Sequence, residues 1–225
     1  MNFKLSPSDL TFGYEGCKRC FYLKVVKGIS QPSIPLPSIF SQIASLLKNH
    51  YDGKHTKSLH TALSPGAVIL GEKWVKSSII ELPNHKDTCY ISGRFDIVVS
   101  FDDGSYGVID FKTGSPSKES ANHYKRQLQA YAYALEHPAL RALGLFPISK
   151  LGLLYFYPSK VHQSSIKRLS YSADITWLEV ERNEDDFLQF LDKVLGVLEL
   201  PEPPQHSPKC QWCCYVNRLN MPVDY

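Results

Sequence analysis

Apolar residues recur along this chain with two different periods, and the changes between them mark out its elements. From Ser38 to Tyr51, Phe40, Ile43, Leu46, Leu47 and His50 fall at roughly helical spacing, which predicts a helix with its apolar side packed inward. Gly53 is placed to end it. From Val75 to Lys112 the runs are short, rich in β-branched and aromatic residues and separated by turn formers, as expected of a central sheet. Within it, SGRFDIVVSF and SYGVIDFKT flank Asp102-Asp103-Gly104, a hairpin loop that puts Gly104 in the left-handed conformation. A long helix is predicted from about Asn122 to Glu136, with Tyr124, Leu128, Tyr131 and Leu135 on one stripe and Pro138 as its stop. LGLLYFYP and ITWLEVER read as two further strands, and NEDDFLQFLDKVLGVLEL as a helix with acidic residues in its first turn.

The two ends read differently. SPSDLTFGYEGCKRCFYLKVV suggests a short helix capped by Ser8 or Asp9, then a basic, aromatic segment around two cysteines, before the Pro-rich QPSIPLPS breaks the chain. At the other end PEPPQHSPK is an extended linker delivering the chain to CQWCC. The order of helix, antiparallel strands, helix and strand makes the fold class α/β or α+β, in one domain spanning residues 1–225.

Composition narrows the class without choosing a function. With 225 residues, 43% hydrophobic and 21% charged, the chain falls in the ordinary globular range, which argues against disorder or a fibre. No apolar stretch is long enough to cross a bilayer, and MNFKLSPSDL lacks the apolar centre of a secretory signal, so a cytoplasmic location is expected. A net charge of +3 leaves a nucleic-acid partner open, because binding depends on where charges sit. Six cysteines in such a chain point to metal or redox chemistry before disulfides.

The first chemical constellation comes from the hairpin. Asp96 and Asp110 are seven residues from Asp103 on either side, so they should be cross-strand neighbours close enough to share one divalent cation. Period two puts Lys112 on the face of Asp110, while Ile97, Val99, Phe101, Ile109 and Phe111 form an apolar face that needs cover. Placing three charges beside buried strands costs free energy unless a metal or partners compensate. The chemistry that fits is phosphodiester hydrolysis with Mg2+ or Mn2+ on the aspartates, and with Lys112 orienting water or stabilising developing charge. The competing explanation of Asp110 and Lys112 is a plain salt bridge at a strand end.

GRFD before the hairpin, IDFKTG after it and QLQAY on the following helix, with Gln127 and Tyr131 one turn apart, form an ordered set. It resembles the PD-(D/E)XK nuclease superfamily, in particular its RecB-like branch. The resemblance implies a restriction-endonuclease-like central mixed sheet flanked by helices, with metal on Asp96 and Asp110, Lys112 as a catalytic residue, and Gln127 and Tyr131 supporting the site and touching substrate. Members of the branch often carry a metal-binding histidine on the helix before the sheet. The corresponding turn falls near Ala44 or Ser45, so His50 would be the third ligand only if the helix is shifted.

Cys17-x-x-Cys20 and Cys210-x-x-Cys213 form the second constellation. Each pair lets two thiolates converge, and together they complete the four sulfurs required by tetrahedral zinc or an iron-sulfur cluster, clamping segments 1–30 and 205–225 together. CKRCFYL and CQWCCY resemble the terminal segments of iron-sulfur RecB-like nucleases, including the CRISPR-associated exonucleases, which implies a 4Fe-4S cluster, with structural Zn2+ as the alternative. Those relatives usually take one ligand from the first segment and three from the second; this chain divides them two and two. Cys214 is a spare thiol or an alternative ligand, Cys89 a buried small hydrophobe, and Trp212 a shield for the centre or an ordinary packed indole.

Lys18, Arg19, Lys24 and Lys27 interleave with Phe21 and Tyr22, and Lys118, His123, Lys125 and Arg126 follow the strand of Asp110. Both groups could bind phosphates and unpaired bases, and either could equally be a solvated helix face. The combined expectation is a metal-dependent nuclease acting on single-stranded DNA or free ends, as an exonuclease or end-processing enzyme in repair, recombination or defence, alongside a helicase or other such proteins and away from membranes. The alternatives are a nuclease-fold DNA-binding or scaffold protein that has lost catalysis, and a zinc-stabilised interaction protein.

Overall fold

The computed structural model describes residues 1–32, 35 and 37–219. Ser33, Ile34 and Leu36 of the Pro-rich break, residues 220–225 and the side chains of Lys118, Ser120 and Leu219 lie outside the described residues. The strands form two sheets. Strands β2 (Gly66–Leu70), β5 (Ile97–Phe101), β6 (Tyr106–Thr113), β7 (Ile148–Ser165) and β8 (Arg168–Val180) make a mixed sheet in the order β2-β5-β6-β7-β8. Only β6 and β7 pair in parallel within it, joined by helix α3 (Lys118–Glu136). A smaller sheet, β1 (Asn2–Leu5), β4 (Thr88–Phe95) and β3 (Lys73–Lys76), has β4 at its centre and leads through Asp96 into β5.

The hairpin register follows the expected centre. Ile97 pairs with Ile109 and Val98 with Val108, and Gly104 closes the turn at φ 84°. Parity then sorts the sheet's two faces. Val98, Val108, Leu151, Leu153 and Tyr155 face α3 and α4 (Glu184–Leu198) in the larger core, while Ile97, Val99, Ile109, Phe111, Leu154 and Trp177 form a second core with Tyr51, Leu59 and Leu63. Asn183 caps α4 by accepting from the Asp186 N–H at 2.9 Å, a satisfied orphan donor beneath an acidic first turn.

Several elements depart from the sequence expectation for local reasons. The opening helix is a short segment of wide, π-type turns, Asp9–Tyr14, and Ser8 makes no side-chain cap; Ser6 Oγ accepts from the Asp9 N–H instead, at 3.1 Å. The cysteine-bearing segment is itself helical, α1 (Lys18–Lys27) and α5 (Gln211–Leu219). Helix α2 spans the expected Ser38–Tyr51, yet its apolar side is not packed inward: Ile39, Phe40 and Leu46 are exposed, and only Leu47 and Tyr51 reach the second core. The two last strands are much longer than LGLLYFYP and ITWLEVER, because backbone pairing carries on through SKVHQSSIKRLSYSAD, where no apolar alternation announces it.

Gly152 of β7 lies under the Trp177 indole, and a Cβ placed there would come within 2.0 Å of the ring. Gly152→Ala should therefore cost about 2 kcal/mol in thermal or denaturant unfolding, since the ring must leave a packed position.

Candidate active site

Asp96 and Asp110 emerge on one face at the junction of the two sheets. Extending the Ile97–Ile109 register by one step puts them opposite each other, and Asp96 Oδ2 accepts from the Phe111 N–H at 2.8 Å, which pins its carboxylate against β6. Asp110 is 5% exposed. Lys112, two residues on, reaches Asp110 Oδ2 at 2.5 Å, places its amine 3.8 Å from the centre of the Tyr124 ring and donates to Gln127 Oε1 at 3.3 Å. Gln127 Nε2 in turn donates to Asp110 Oδ1 at 3.4 Å and lies 3.3 Å from the Tyr131 hydroxyl, which donates to the Arg94 carbonyl at 2.8 Å. Five residues selected from sequence thus converge from β6, α3 and the β4–β5 junction.

His50 is the exception. It is exposed on the last turn of α2, within 3.0 Å of Lys54 Nζ and edge-on to Tyr51, and the structure does not bring it to the aspartates. The helical rotation of about 200° over two residues turns Lys48 toward the site instead. Lys48 Nζ stands 2.7 Å from Asp96 Oδ1 and 3.4 Å from Glu72 Oε1, and Glu72 also pairs with Arg94 at 2.8 Å. Lys48, Glu72 and Arg94 were absent from the sequence reading. Arg94 sits inside the GRFD motif, but nothing in the spacing of Lys48 or Glu72 singles them out.

Burial raises the Asp110 carboxyl to about 6; Lys112 opposes that shift and the Asp96 charge adds to it. Burial likewise raises the Tyr131 hydroxyl, keeping it a neutral donor. Two adjacent carboxylates with hard oxygen donors, one of them strained toward its neutral form, suit a divalent cation such as Mg2+ or Mn2+.

The four cysteines of the two Cys-x-x-Cys motifs also converge. Their sulfurs all lie within 4.8 Å of one another, with Cys17–Cys213 at 3.8 Å, Cys20–Cys210 at 3.7 Å and Cys20–Cys213 at 3.3 Å. Burial raises the thiols of Cys20 and Cys213. It also acts on Cys17, but hydrogen bonds from the backbone of Ser207 and Cys20 outweigh it and bring that thiol down to about 7. This donor set fits a thiophilic metal. Cys214 points elsewhere, donating to the Pro208 carbonyl, and Cys89 is buried in β4, its thiol pushed up to about 12 by burial. Trp212 is partly exposed and stacks on Tyr215.

The expected basic surfaces are largely engaged within the fold. Phe21 and Tyr22 are buried, Lys24 pairs with Asp9 at 2.5 Å, and Arg19 donates to the Pro204 carbonyl. Lys125 and Arg126 both hold Asp186, at 2.8 and 2.9 Å, and His123 packs edge-on against Phe12. These aromatics cannot stack on bases, and these cations already have carboxylate or carbonyl partners.

The profile of the PD-(D/E)XK nuclease superfamily matches residues 60–218. The chain belongs to that superfamily, whose members are nucleases that use divalent metals on nucleic acid. No curated protein matches it. Among solved structures it is similar to one described as "Crystal structure of SSO0001", at 18% identity and a TM-score of 0.48, covering 99% of this chain and 87% of that one. No helix among the described residues is long and apolar enough to cross a membrane.

The raised Asp110 carboxyl gives a stability test. Folding takes up a proton between the ordinary carboxylate range and about pH 6, so ionising Asp110 as pH rises through that window weakens the metal-free fold. Asp110→Asn should accordingly stabilise the protein in EDTA by about 1–3 kcal/mol at pH 7, and the advantage should vanish near pH 4. Matched melting curves across that range would check it.

Proposed function

We propose that this protein is a metal-dependent deoxyribonuclease that hydrolyses phosphodiester bonds at the Asp96–Asp110–Lys112 site, acting on single strands or free ends. The observation that carries this reading is the convergence of Asp96, Asp110, Lys112, Gln127 and Tyr131 in one hydrogen-bonded network in a chain of the nuclease superfamily. Asp96 and Asp110 would hold the divalent ion, which when bound polarises the phosphate and lowers the pKa of water. Lys112 is the cation closest to the buried carboxylate and would stabilise charge growing on the phosphate oxygens as water attacks phosphorus and the P–O bond to the leaving strand breaks. Gln127 spans Lys112 and Asp110 and so holds both at fixed orientation, while Tyr131 anchors Gln127 to β4. The RecB-like resemblance supports DNA as substrate and a role in repair, recombination or defence. Six free thiols suit a reducing, cytoplasmic setting.

For the sulfur site, the spacing supports one tetrahedral ion, zinc, over the 4Fe-4S cluster suggested by the resemblance. Zinc–sulfur bonds of about 2.3 Å give tetrahedral sulfur separations of about 3.8 Å, close to the 3.3–3.8 Å between the named pairs. In a cubane each sulfur binds a different iron and the four must stand farther apart.

A second reading, a nuclease-fold DNA-binding protein without catalysis, draws on Lys48, whose amine meets Asp96 from the helix that carries no histidine there.

Asp110→Ala and Lys112→Ala should each lower Mn2+-dependent degradation of single-stranded DNA by at least about 100-fold while leaving the fold intact by circular dichroism. Activity equal to that of the unaltered chain in both variants would defeat the assignment, and an unaltered chain that binds DNA without cutting it would favour the second reading. Cys17→Ser or Cys213→Ser should lower metal content and melting temperature together. Anaerobically purified protein should carry one zinc per chain and no absorption near about 400 nm, where an iron-sulfur cluster would be brown.

A further inference from the structure

The outer halves of β7 and β8 form a two-stranded ribbon that leaves the body of the protein. Lys112 pairs with Tyr155 and Thr113 with Phe156, where β6 ends, but β7 continues to Ser165 and stays paired with β8 to the turn at Ile166 and Lys167. Residues 157–172 are exposed on both faces, with Ile166 at the tip 97% exposed. At about 3.3 Å per residue the ribbon projects roughly 25 Å beyond the end of β6. It begins two steps past the level of Lys112, so it stands at the same end of the sheet as the carboxylates.

Its faces differ. On the face that continues the parity of Asp110, Lys112 and Tyr155, the pairs are Tyr157 with Asp174 at the base, then Lys160 with Ser172, His162 with Ser170, and Ser165 with Arg168 toward the tip. His162 Nε2 and Ser172 Oγ meet at 3.1 Å, consistent with that shared side. The opposite face carries Val161 with Tyr171 and Gln163 with Leu169, and continues the parity of Phe111 and Trp177. Between residues 157 and 175 the chain holds Lys160, Lys167 and Arg168 against the single acid Asp174.

We propose that this ribbon is a nucleic-acid arm: its basic, hydroxyl-lined face carries the phosphates of a strand running to or from the Asp110–Lys112 site. The proposal rests on the nuclease reading for its substrate, and its argument is charge complementarity on a face collinear with that site. Lys, Arg and Ser side chains are the usual donors to phosphate oxygens, and such contacts position a strand without reading its sequence. A two-stranded ribbon also fits the major groove of a duplex. In the expected basic patches on α1 and α3, by contrast, Arg19, Lys24, Lys125 and Arg126 are already engaged by a backbone carbonyl, Asp9 and Asp186.

The test is fluorescence anisotropy of a labelled 30-nucleotide strand, single or duplex, on the full chain in EDTA across a salt series, so that no cleavage occurs. Lys160→Gln, Lys167→Gln and Arg168→Gln combined should weaken binding at least tenfold at low salt, and the slope of log affinity against log salt should fall by about 2, from three lost contacts at roughly 0.7 each on a single strand. Equal melting temperatures would show that the fold is unaffected. Unchanged affinity and slope would overturn the arm, as would a loss that follows Leu169→Ser and Tyr171→Ser on the opposite face instead of the cations. Salt-dependent binding through the ribbon by an unaltered chain that does not cut with Mn2+ would leave the arm standing and sink the nuclease reading alone.

Discussion

A carboxylate buried beside an apolar sheet is the constraint around which this molecule is arranged. Asp110 faces the larger core, where an isolated charge would be costly, and it is held there by Lys112, by the amide of Gln127 and by a register that brings Asp96 alongside. Each support comes from a different part of the chain, so hairpin, crossover helix and β4–β5 junction must all form before the site exists. The α3 crossover thus does two things at once: its apolar stripe covers the sheet, and Gln127, braced by Tyr131, donates to the carboxylate.

The sulfur centre sits apart from that network and solves a different problem. Helices α1 and α5 lie almost two hundred residues apart in sequence, and Cys17, Cys20, Cys210 and Cys213 form a small buried group distinct from both hydrophobic cores. Closing so long a loop by a metal restrains the unfolded chain more than a local contact would. Burial holds the thiols of Cys20 and Cys213 toward their neutral forms, so a cation bound there would have to displace their protons.

Much of this was legible in sequence where a physical rule fixes position. Period two and a symmetric turn sufficed to place Asp96, Asp110 and Lys112 together, and helical spacing located α2 and the pairing of Gln127 with Tyr131. The failures share a cause: sequence reports which residues prefer burial, but not how a helix is rotated against its neighbours. Helix α2 was found to the residue, yet its rotation brings Lys48 rather than His50 to Asp96. Lys24 of α1 and Lys125 and Arg126 of α3 read as free because their carboxylate partners, Asp9 and Asp186, come from other turns and other helices. The β7–β8 ribbon was missed because it has no core to impose alternation, and its pairing is carried by the backbone alone.

Lys48 completes a balance of charge around the two aspartates. Around the site the carboxylates Asp96, Asp110 and Glu72 are matched by Lys48, Lys112 and Arg94, so when all are ionised the formal charges cancel. A neutral cluster has little pull on a polyanion. A divalent ion held there would leave two positive charges in surplus beside any phosphate that came near.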